Sequence, residues 1–423
     1  MANSSSTFSL AGRGLKIDTK EDLEKHIEPL TSSSTKTTHI DLSGNTLGVS
    51  ACAALAPILS SQSSLESADL HDIFTSRLLE EIPPALGSLL TALLDCPNLH
   101  TIDLSDNAFG LNTKDPLVDF LSKHTPLKHL ILNNNGMGPI AGTAIAEALC
   151  KLAERKEAAR KEGKDVPHLE SIVCGRNRLE NGSMAAWAKA YEAHKAGMKN
   201  VKMTQNGIRP EGISHLITSG LSKCENLEIF DLQDNTFTIK GAQALARAVQ
   251  GWSSLKELGV GDDLLGARGS IKVFEALASG NNKDVEVLRL AFNDITPAGV
   301  KALLQAAKDG LPKLRRIELN GNRFEEDDES VGELAALLSG RKDENAKDDD
   351  PGDHWGLDEL DELEGEDEDE EEDEAEAEEE DEEEEEVRES VLKDADQAEN
   401  ATVSQKKDAD VDDLASALKK THV

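Results

Sequence analysis

A short pattern of leucines and one asparagine returns along most of this chain. It is clearest at Leu127 to Gly136, LKHLILNNNG, where the spacing L-x-x-L-x-L-x-x-N ends at Asn135. In such a unit a short strand passes through the second and third leucines, and the asparagine turns inward to bond backbone groups that no neighbour reaches. Asn135 is therefore predicted to be structural. Asn133 and Asn134 are not needed for that turn, and we expect both to stand on the rim with free donors and acceptors.

The asparagine position recurs at a nearly constant period. It is occupied by Asn45, Asn107, Asn135, Asn177, Asn206, Asn235, Asn293 and Asn322, with Ile73 and Asp263 in two further registers. Successive spacings are 28, 34, 28, 42, 29, 29, 28, 30 and 29 residues. Since a period near 28 has room for one strand and one helix, the chain is predicted to form an α/β leucine-rich repeat horseshoe, a solenoid with parallel strands on the concave face and helices on the convex face.

Three domains are predicted from this pattern. Residues 1–38 form an N-terminal cap, 39–340 form the repeat domain of about ten to eleven repeats, and 341–423 hold a linker, an acidic tail and a weak C-terminal helix. The two long spacings mark insertions. One follows Leu70, and the other, Lys151 to Pro167, has mixed charge and is expected to be a solvated extension on the convex side.

The charge and cysteine content of the chain limit the kinds of partner and compartment that we expect for it. The net charge is −37, and Asp358 to Glu386 hold 24 acidic side chains and no basic one. Such a run repels itself and is predicted to be disordered, and it makes nucleic acid an unfavourable partner. Five scattered cysteines read as buried thiols in a reducing compartment. Without a signal-peptide layout or an apolar run of membrane-spanning length, the chain is expected to be soluble and cytoplasmic.

The sequence has none of the usual catalytic or metal-binding motifs. It contains no G-x-x-x-x-G-K-[ST] loop, no H-E-x-x-H, no C-x-x-C and no G-x-S-x-G. Repeat scaffolds hold other proteins on a broad open face more readily than they enclose a substrate. We therefore expect a binding module with no metal, no cofactor and no hydrolytic site of its own.

The strand position four residues before each repeat asparagine faces solvent. Its occupants are Asp41, Asp69, Asp103, Ile131, Val173, Lys202, Asp231, Gly259, Arg289 and Glu318. Strand neighbours stand about 5 Å apart, so the first three repeats are predicted to stack carboxylates that favour a basic partner. The alternative is that these are ordinary solvated polar positions.

Two side chains stand out near one rim. Arg77 lies in the insertion after Leu70, and Asn134 lies two repeats later, roughly 10 Å away if each strand step is about 5 Å. An arginine could span much of that distance, and a cation beside a transferring phosphate is an obvious catalytic device. The simpler interpretations are a salt bridge from Arg77 to Glu80 or Glu81, and a plain loop amide at Asn134.

Several stretches depart from a generic repeat at exposed positions. They are HDIFTSRLLEEIPPAL, LSDNAFG, DFLSKHTPLKHLILNNNGMGP, CGRNRLENGSM, QNGIRPEGI, LQDNTFT and ELNGNRF, followed by the acidic tail. With them the chain resembles the fungal Ran GTPase-activating proteins over almost all of the repeat domain. One departure lies after Thr75-Ser76-Arg77, where Leu78-Leu79 replaces a family pattern that includes a lysine.

The resemblance implies an activator in nucleocytoplasmic transport. It would bind the small GTPase Ran in its GTP form, alone or together with a Ran-binding protein, as a monomer. It would speed hydrolysis of the GTP that the GTPase holds with Mg²⁺. It implies no arginine finger: Asn134 would position the GTPase's own glutamine, and Arg77 would have a supporting role. The partner contacts we predict are Asp41, Asp69, Asp103, Asn133, Arg176 and Asp231. The tail would then steer a basic partner.

Two other classes of protein stay open at this point. One is a non-catalytic repeat inhibitor similar to ribonuclease inhibitor, although that family is rich in cysteine and this chain has five. The other is a binding protein for a basic partner in which the acidic tail does the work and the repeats are a scaffold.

Overall fold

A computed structural model of the chain describes residues 6–31, 36–346 and 354–364. Its strands are β1 Ser6–Ser9, β2 Lys16–Ile17, β3 Thr37–Asp41, β4 Thr46–Leu47, β5 Ser67–Asp69, β6 Thr101–Asp103, β7 His129–Ile131, β8 Ser171–Val173, β9 Asn200–Lys202, β10 Ile229–Asp231, β11 Glu257–Gly259, β12 Val287–Arg289, β13 Arg316–Glu318 and β14 Gly356–Leu357. Its helices are α1 Lys20–Glu24, α2 Glu28–Thr31, α3 Val49–Ser60, α4 Ile82–Leu93, α5 Lys114–Leu121, α6 Gly138–Lys161, α7 Glu180–His194, α8 Pro210–Ser219, α9 Thr238–Val249, α10 Gly266–Ala278, α11 Pro297–Asp309 and α12 Glu329–Asn345, with a 3₁₀ turn at Leu221–Lys223.

Twelve strands form a single sheet in chain order, with β2 and β4 pairing separately beside it. Each strand of the large sheet is parallel to its neighbours, and a helix returns the chain from most strands to the next. The leucines of the repeat pattern are buried between the sheet and the helices. The predicted leucine-rich repeat architecture is therefore confirmed. No helix in the described ranges is long and apolar enough to span a bilayer.

The repeat asparagines form a buried ladder that links one coil to the next. Asn135 donates from its amide Nδ2 to the carbonyl of Leu132 at 3.2 Å and to that of Leu104, in the preceding coil, at 3.0 Å. Its Oδ1 accepts from the backbone N–H of Asn107 at 3.0 Å. The same side chain thus satisfies groups in two coils, which is why an asparagine is needed where the backbone itself cannot pair.

Asp263 takes the asparagine's place in one coil, but it satisfies fewer hydrogen bonds than the amide does. Its Oδ1 accepts from the backbone N–H of Asn235 at 2.8 Å, as an amide oxygen would. Its Oδ2 is buried and has no hydrogen-bond partner among the described residues. Burial raises the pKa of Asp263 well above its usual range, and the neighbouring carboxylates of Asp262 and Asp231 add to the rise. The buried position therefore disfavours the ionised form of this carboxyl group, which would lie unpaired in the core.

Asp263→Asn is expected to stabilise the fold by about 1–3 kcal/mol, since an amide donates where the buried oxygen now has no partner. Because the folded-state pKa of Asp263 is raised, the contribution of Asp263 to the free energy of unfolding is complete below its unfolded-state pKa. That contribution is lost as the pH rises above the unfolded-state pKa. The gain from asparagine should therefore be larger at about pH 8 than at about pH 4, measured by urea unfolding. Asn293→Asp is the matched control and should destabilise with the same pH trend. A gain independent of pH would contradict this account.

The second insertion is more firmly anchored than predicted. α6 runs through it to Lys161, but Lys156 is buried rather than solvated. Its Nζ donates to the carbonyls of Thr125, Leu127 and Pro167 at 2.8, 2.7 and 2.8 Å. A lysine in a mixed-charge helix is usually a surface residue. The three carbonyls that bind Lys156 belong to segments outside α6, and the repeat spacing does not show that these segments approach it. Four of the five cysteines are buried, as predicted, and Cys150 is half-buried.

The C-terminal boundary at Gly340 was predicted too early. α12 continues to Asn345, and β14 pairs in parallel with β13 as a further strand of the sheet. Leu357, Leu360 and Leu363 pack against the last coil. The beginning of the acidic run, up to Glu364, is therefore ordered, in contrast to the disorder predicted for all of it. The rest of the run and the predicted C-terminal helix lie outside the described residues.

Candidate partner-binding rim and strand face

The residue before each ladder position has a left-handed backbone. We call this the rim position, and its φ lies between 48° and 69° in all ten repeats, at Gly44, Asp72, Asp106, Asn134, Arg176, Gln205, Asp234, Asp262, Phe292 and Gly321. Residues with a Cβ rarely adopt this backbone conformation, and among them asparagine and aspartate adopt it most easily. The fixed backbone places one rim side chain per coil along one edge of the sheet. Asp106, Asn134 and Arg176 are exposed neighbours in this row.

The side-chain amide of Asn134 is hydrogen-bonded through its nitrogen but not through its oxygen among the described residues. Its Nδ2 donates to a carboxylate oxygen of Asp106 at 2.7 Å, and its backbone N–H donates to the carbonyl of Gly175 at 2.9 Å. Its Oδ1 has no hydrogen-bond partner among the described residues. The prediction of an exposed amide is thus confirmed for the oxygen and wrong for the nitrogen, which is already engaged.

Asn133 is bound through its amide oxygen, in contrast to the fully free amide that we predicted. It is half-buried, and its Oδ1 accepts from the backbone N–H of Gly175 at 2.7 Å. Its backbone N–H donates to the hydroxyl of Ser105 at 3.1 Å. These bonds connect three successive coils below Asn134. Asn133 therefore supports the rim through its oxygen and its backbone, while its Nδ2 has no hydrogen-bond partner among the described residues.

Arg77 points to the N-terminal segment, away from Asn134. Its side chain is only 8% exposed and forms an ion pair with Asp18 at 2.5 Å. It also donates to the hydroxyl and the carbonyl of Thr46, each at 2.8 Å. The hydrogen bond from Arg77 lowers the pKa of Asp18. The predicted partners Glu80 and Glu81 are wrong, because the carboxylate that Arg77 reaches lies 59 residues earlier in the chain. An arginine held in this way cannot span the distance to Asn134.

Arg77→Met is expected to lower the free energy of unfolding by about 1–3 kcal/mol, because the hydrogen bonds that fix the insertion to the first coil are lost. Urea unfolding of the variant measures the effect. Lys16→Met is the control, since Lys16 also pairs with Asp18 but is exposed, and its effect should stay below about 1 kcal/mol. Equal effects of the two substitutions would show that Arg77 is an ordinary surface charge.

The acidic stack on the strand face is present as predicted. Asp41, Asp69 and Asp103 pair in register across β3, β5 and β6, and the remaining predicted positions follow in register to Glu318. None of the described basic side chains of Lys or Arg forms an ion pair with these three aspartates. Burial raises the pKa of Asp103, and the charge of Asp69 contributes to the rise. The face therefore carries negative charge that is costly to hold without a partner.

His71 lies within this stack. Its Nδ1 is 2.6 Å from a carboxylate oxygen of Asp69. Although burial acts to lower it, the pKa of His71 is raised by the bond to Asp69 and by the charges of Asp103 and Asp106. Ligand atoms of Asp69, His71 and Asp103 lie within 4.8 Å of one another, so these three are the residues of the described chain that could geometrically approach a cation. The Asp69–His71 bond already satisfies two of them.

The C-terminal half of the strand face is paired internally. Asp231 is buried, lies 3.7 Å from the Nζ of Lys202 and accepts from the amide of Gln233 at 3.0 Å. Its predicted role as an open partner contact is therefore not supported by its position. Arg289 similarly lies between Glu257 and Glu318, at 3.2 and 3.7 Å. The strand-face carboxylates that have no lysine or arginine partner among the described residues, Asp41, Asp69 and Asp103, lie in the first three coils.

Two features of this region were not predicted from the sequence: the role of Asp106 and the exposure of Leu78 and Leu79. Aligning the residue before each ladder position is the signal that finds Asp106, because it places Asp106 in the coil next to Asn134. Leu78 and Leu79 in the first insertion are 63% and 61% exposed, and an apolar pair at that exposure is unusual enough to mark a surface of interest.

Comparison with known proteins agrees with this architecture. The family model described as "Leucine Rich repeat" matches residues 223–246 and 281–304. "Ran GTPase-activating protein 1" of Saccharomyces cerevisiae is 43% identical over 331 residues, which cover 77% of this chain and 80% of the yeast protein. "Ran GTPase-activating protein 2" of Caenorhabditis elegans is 41% identical over 49% of this chain and 21% of its own length. Pig "Ribonuclease inhibitor" is 23% identical over 74% of this chain and 70% of its own length. The identity and coverage of the yeast match show that the chain belongs to the Ran GTPase-activating protein family.

Proposed function

We propose that this protein binds Ran in its GTP form and accelerates hydrolysis of the bound nucleotide, as a monomer in the cytoplasm. The single observation that carries the proposal is the exposed amide of Asn134 beside an acidic strand face, in a chain that is 43% identical to the yeast relative. GTP and Mg²⁺ are supplied by the GTPase. This chain contributes no cofactor and no hydrolytic site of its own.

The chemistry requires little more than positioning. In a GTPase the attacking water is oriented by a glutamine side chain, and the transition state gains from every group that holds that glutamine in place. Asn134 offers an amide oxygen that can accept a hydrogen bond from the glutamine's NH₂ group. The glutamine's own oxygen is then left to accept from the attacking water. The role of Asn134 is thus to restrict a partner residue, with no charge inserted into the site.

An arginine finger is disfavoured by the positions of the arginines. Arg77 is held by Asp18 and Thr46. Arg176 occupies the rim position one coil beyond Asn134 and is exposed. We assign it to partner contact, together with Asp41, Asp69 and Asp103, whose negative charge would raise the rate of encounter with a basic partner.

A single-turnover assay of GTP hydrolysis by Ran, with this protein at substoichiometric concentration, tests the function. Activation of this kind amounts to about 10⁵-fold, and each molecule of activator should serve many molecules of GTPase. Arg176→Ala should leave the maximal rate nearly unchanged, whereas a loss near 10³-fold would identify an arginine finger. Tight stoichiometric binding without acceleration would favour an inhibitor of the ribonuclease-inhibitor kind. Binding that needs only residues 365–423 would favour an acidic-tail binder.

A further inference from the structure

The rim places a carboxylate directly beside the amide of Asn134. Asp106 occupies the rim position of the preceding coil, and its φ of 60° is close to the 52° of Asn134. Its backbone N–H is bonded to the carbonyl of Asn133 at 2.9 Å, so the two rim residues are fixed to each other through their backbones as well. The 2.7 Å hydrogen bond between their side chains therefore joins two residues whose backbones are already held at a fixed separation.

The chemistry of that bond fixes which way the amide faces. An ionised carboxylate only accepts hydrogen bonds, so the end of the amide that lies against Asp106 must be the NH₂ group. The carbonyl oxygen of Asn134 then faces outward. Without the carboxylate, the exposed amide could rotate and present NH₂ to a partner as readily as oxygen. The negative charge also polarises the amide and makes its oxygen a stronger acceptor.

We propose that Asp106 is a positioning residue for GTPase activation, which orients Asn134 so that its carbonyl oxygen receives the NH₂ group of the partner's glutamine. This inference rests on the proposed function. It assigns the polarity of the contact: oxygen from this chain, nitrogen from the GTPase. Asp106 itself need not touch the GTPase.

Glycine allows a clean removal of the side chain. Gly44 and Gly321 occupy the rim position in the first and last coils with φ of 64° and 69°, so Asp106→Gly introduces no backbone strain. Asp234→Gly is a matched control, because Asp234 is an exposed aspartate at the rim position with φ of 60°, three coils beyond Asn134. Both variants lose one negative charge, but only one loses the partner of Asn134.

The test is single-turnover hydrolysis by Ran-GTP over a range of activator concentrations. Asp106→Gly should lower the maximal rate about tenfold and change the half-maximal concentration less than about twofold, which is the size expected for losing one charge-assisted bond. Asp234→Gly should leave the maximal rate unchanged. Asp106→Asn retains an acceptor and a side chain suited to the left-handed backbone, and should recover most of the rate.

The decisive comparison is made in the Asn134→Ala background. There Asp106→Gly should cause no further loss of maximal rate, since Asp106 acts through Asn134. A tenfold loss in that background, or no loss in the wild-type background, would overturn the positioning role while leaving the proposed function intact. If the wild-type chain does not accelerate hydrolysis, the proposed function fails, and this inference fails with it.

Discussion

Asn134→Ala is expected to lower the maximal rate of Ran-GTP hydrolysis about 10²–10³-fold, with less than about a threefold change in the half-maximal activator concentration. Losing one group that stabilises only the transition state has an effect of this size, because the interaction is absent from the ground-state complex. The strand-face aspartates and Arg176, which we assign to binding, are untouched by the substitution. The measurement is single-turnover hydrolysis at saturating activator, compared with the concentration dependence.

Two further variants separate chemistry from folding. Asn134→Gly removes the same amide at a position where two other coils already have glycine, and it should reproduce the loss. Gln205→Ala removes another exposed rim amide, two coils away with φ of 52°, and should have little effect. Equal losses in rate and affinity, or no loss at all, would make Asn134 an ordinary contact residue.

Ending the chain after Ala346 is expected to lower the free energy of unfolding by about 2–4 kcal/mol, whereas ending it after Glu366 should cost less than about 1 kcal/mol. Residues 354–364, which lie between these two ends, cover the last coil. Asp358 accepts from the backbone N–H groups of Leu319 and Asn320 at 2.7 and 3.1 Å, and the β14 strand covers the exposed edge of β13. Thermal and urea unfolding of the two truncated chains measure the difference.

This comparison also changes how the acidic tail is to be tested. Deleting residues 350–423 would remove the last strand together with the whole acidic run, so a loss of activity could arise from a damaged repeat domain. Ending after Glu366 keeps β14 and removes the rest. It should slow association with Ran at low salt and leave the maximal rate nearly intact. An inactive chain ending at Glu366 would contradict the steering role, and equal stability of both truncations would contradict the capping role of β14.

The repeat pattern alone was sufficient to predict the fold and the register of the strand face. The asparagine at each turn and the apolar residues before it determine which side chains are buried, so the stack of Asp41, Asp69 and Asp103 follows from counting. Only the spacing within each coil is needed for that result.

Contacts between distant segments could not be predicted in this way. The partner of Arg77 is Asp18 rather than either glutamate in its own loop, because the insertion folds back onto the first coil. The final strand could not be predicted because Gly356–Leu357 is only two residues long and is followed directly by the acidic run. The bond from Asn134 to Asp106 depends on the left-handed backbone shared by all rim positions, which becomes evident only when the φ angles are known.

The central claim is that this chain activates Ran through the GTPase's own glutamine, held by Asn134. A double-mutant cycle between Asn134→Ala and replacement of that glutamine by alanine tests it most directly, with maximal single-turnover rates as the readout. The glutamine variant is expected to be barely activated, and Asn134→Ala is expected to cause no further loss of rate in that variant. Strong activation of the glutamine variant, or a full loss from Asn134→Ala in its presence, would contradict it.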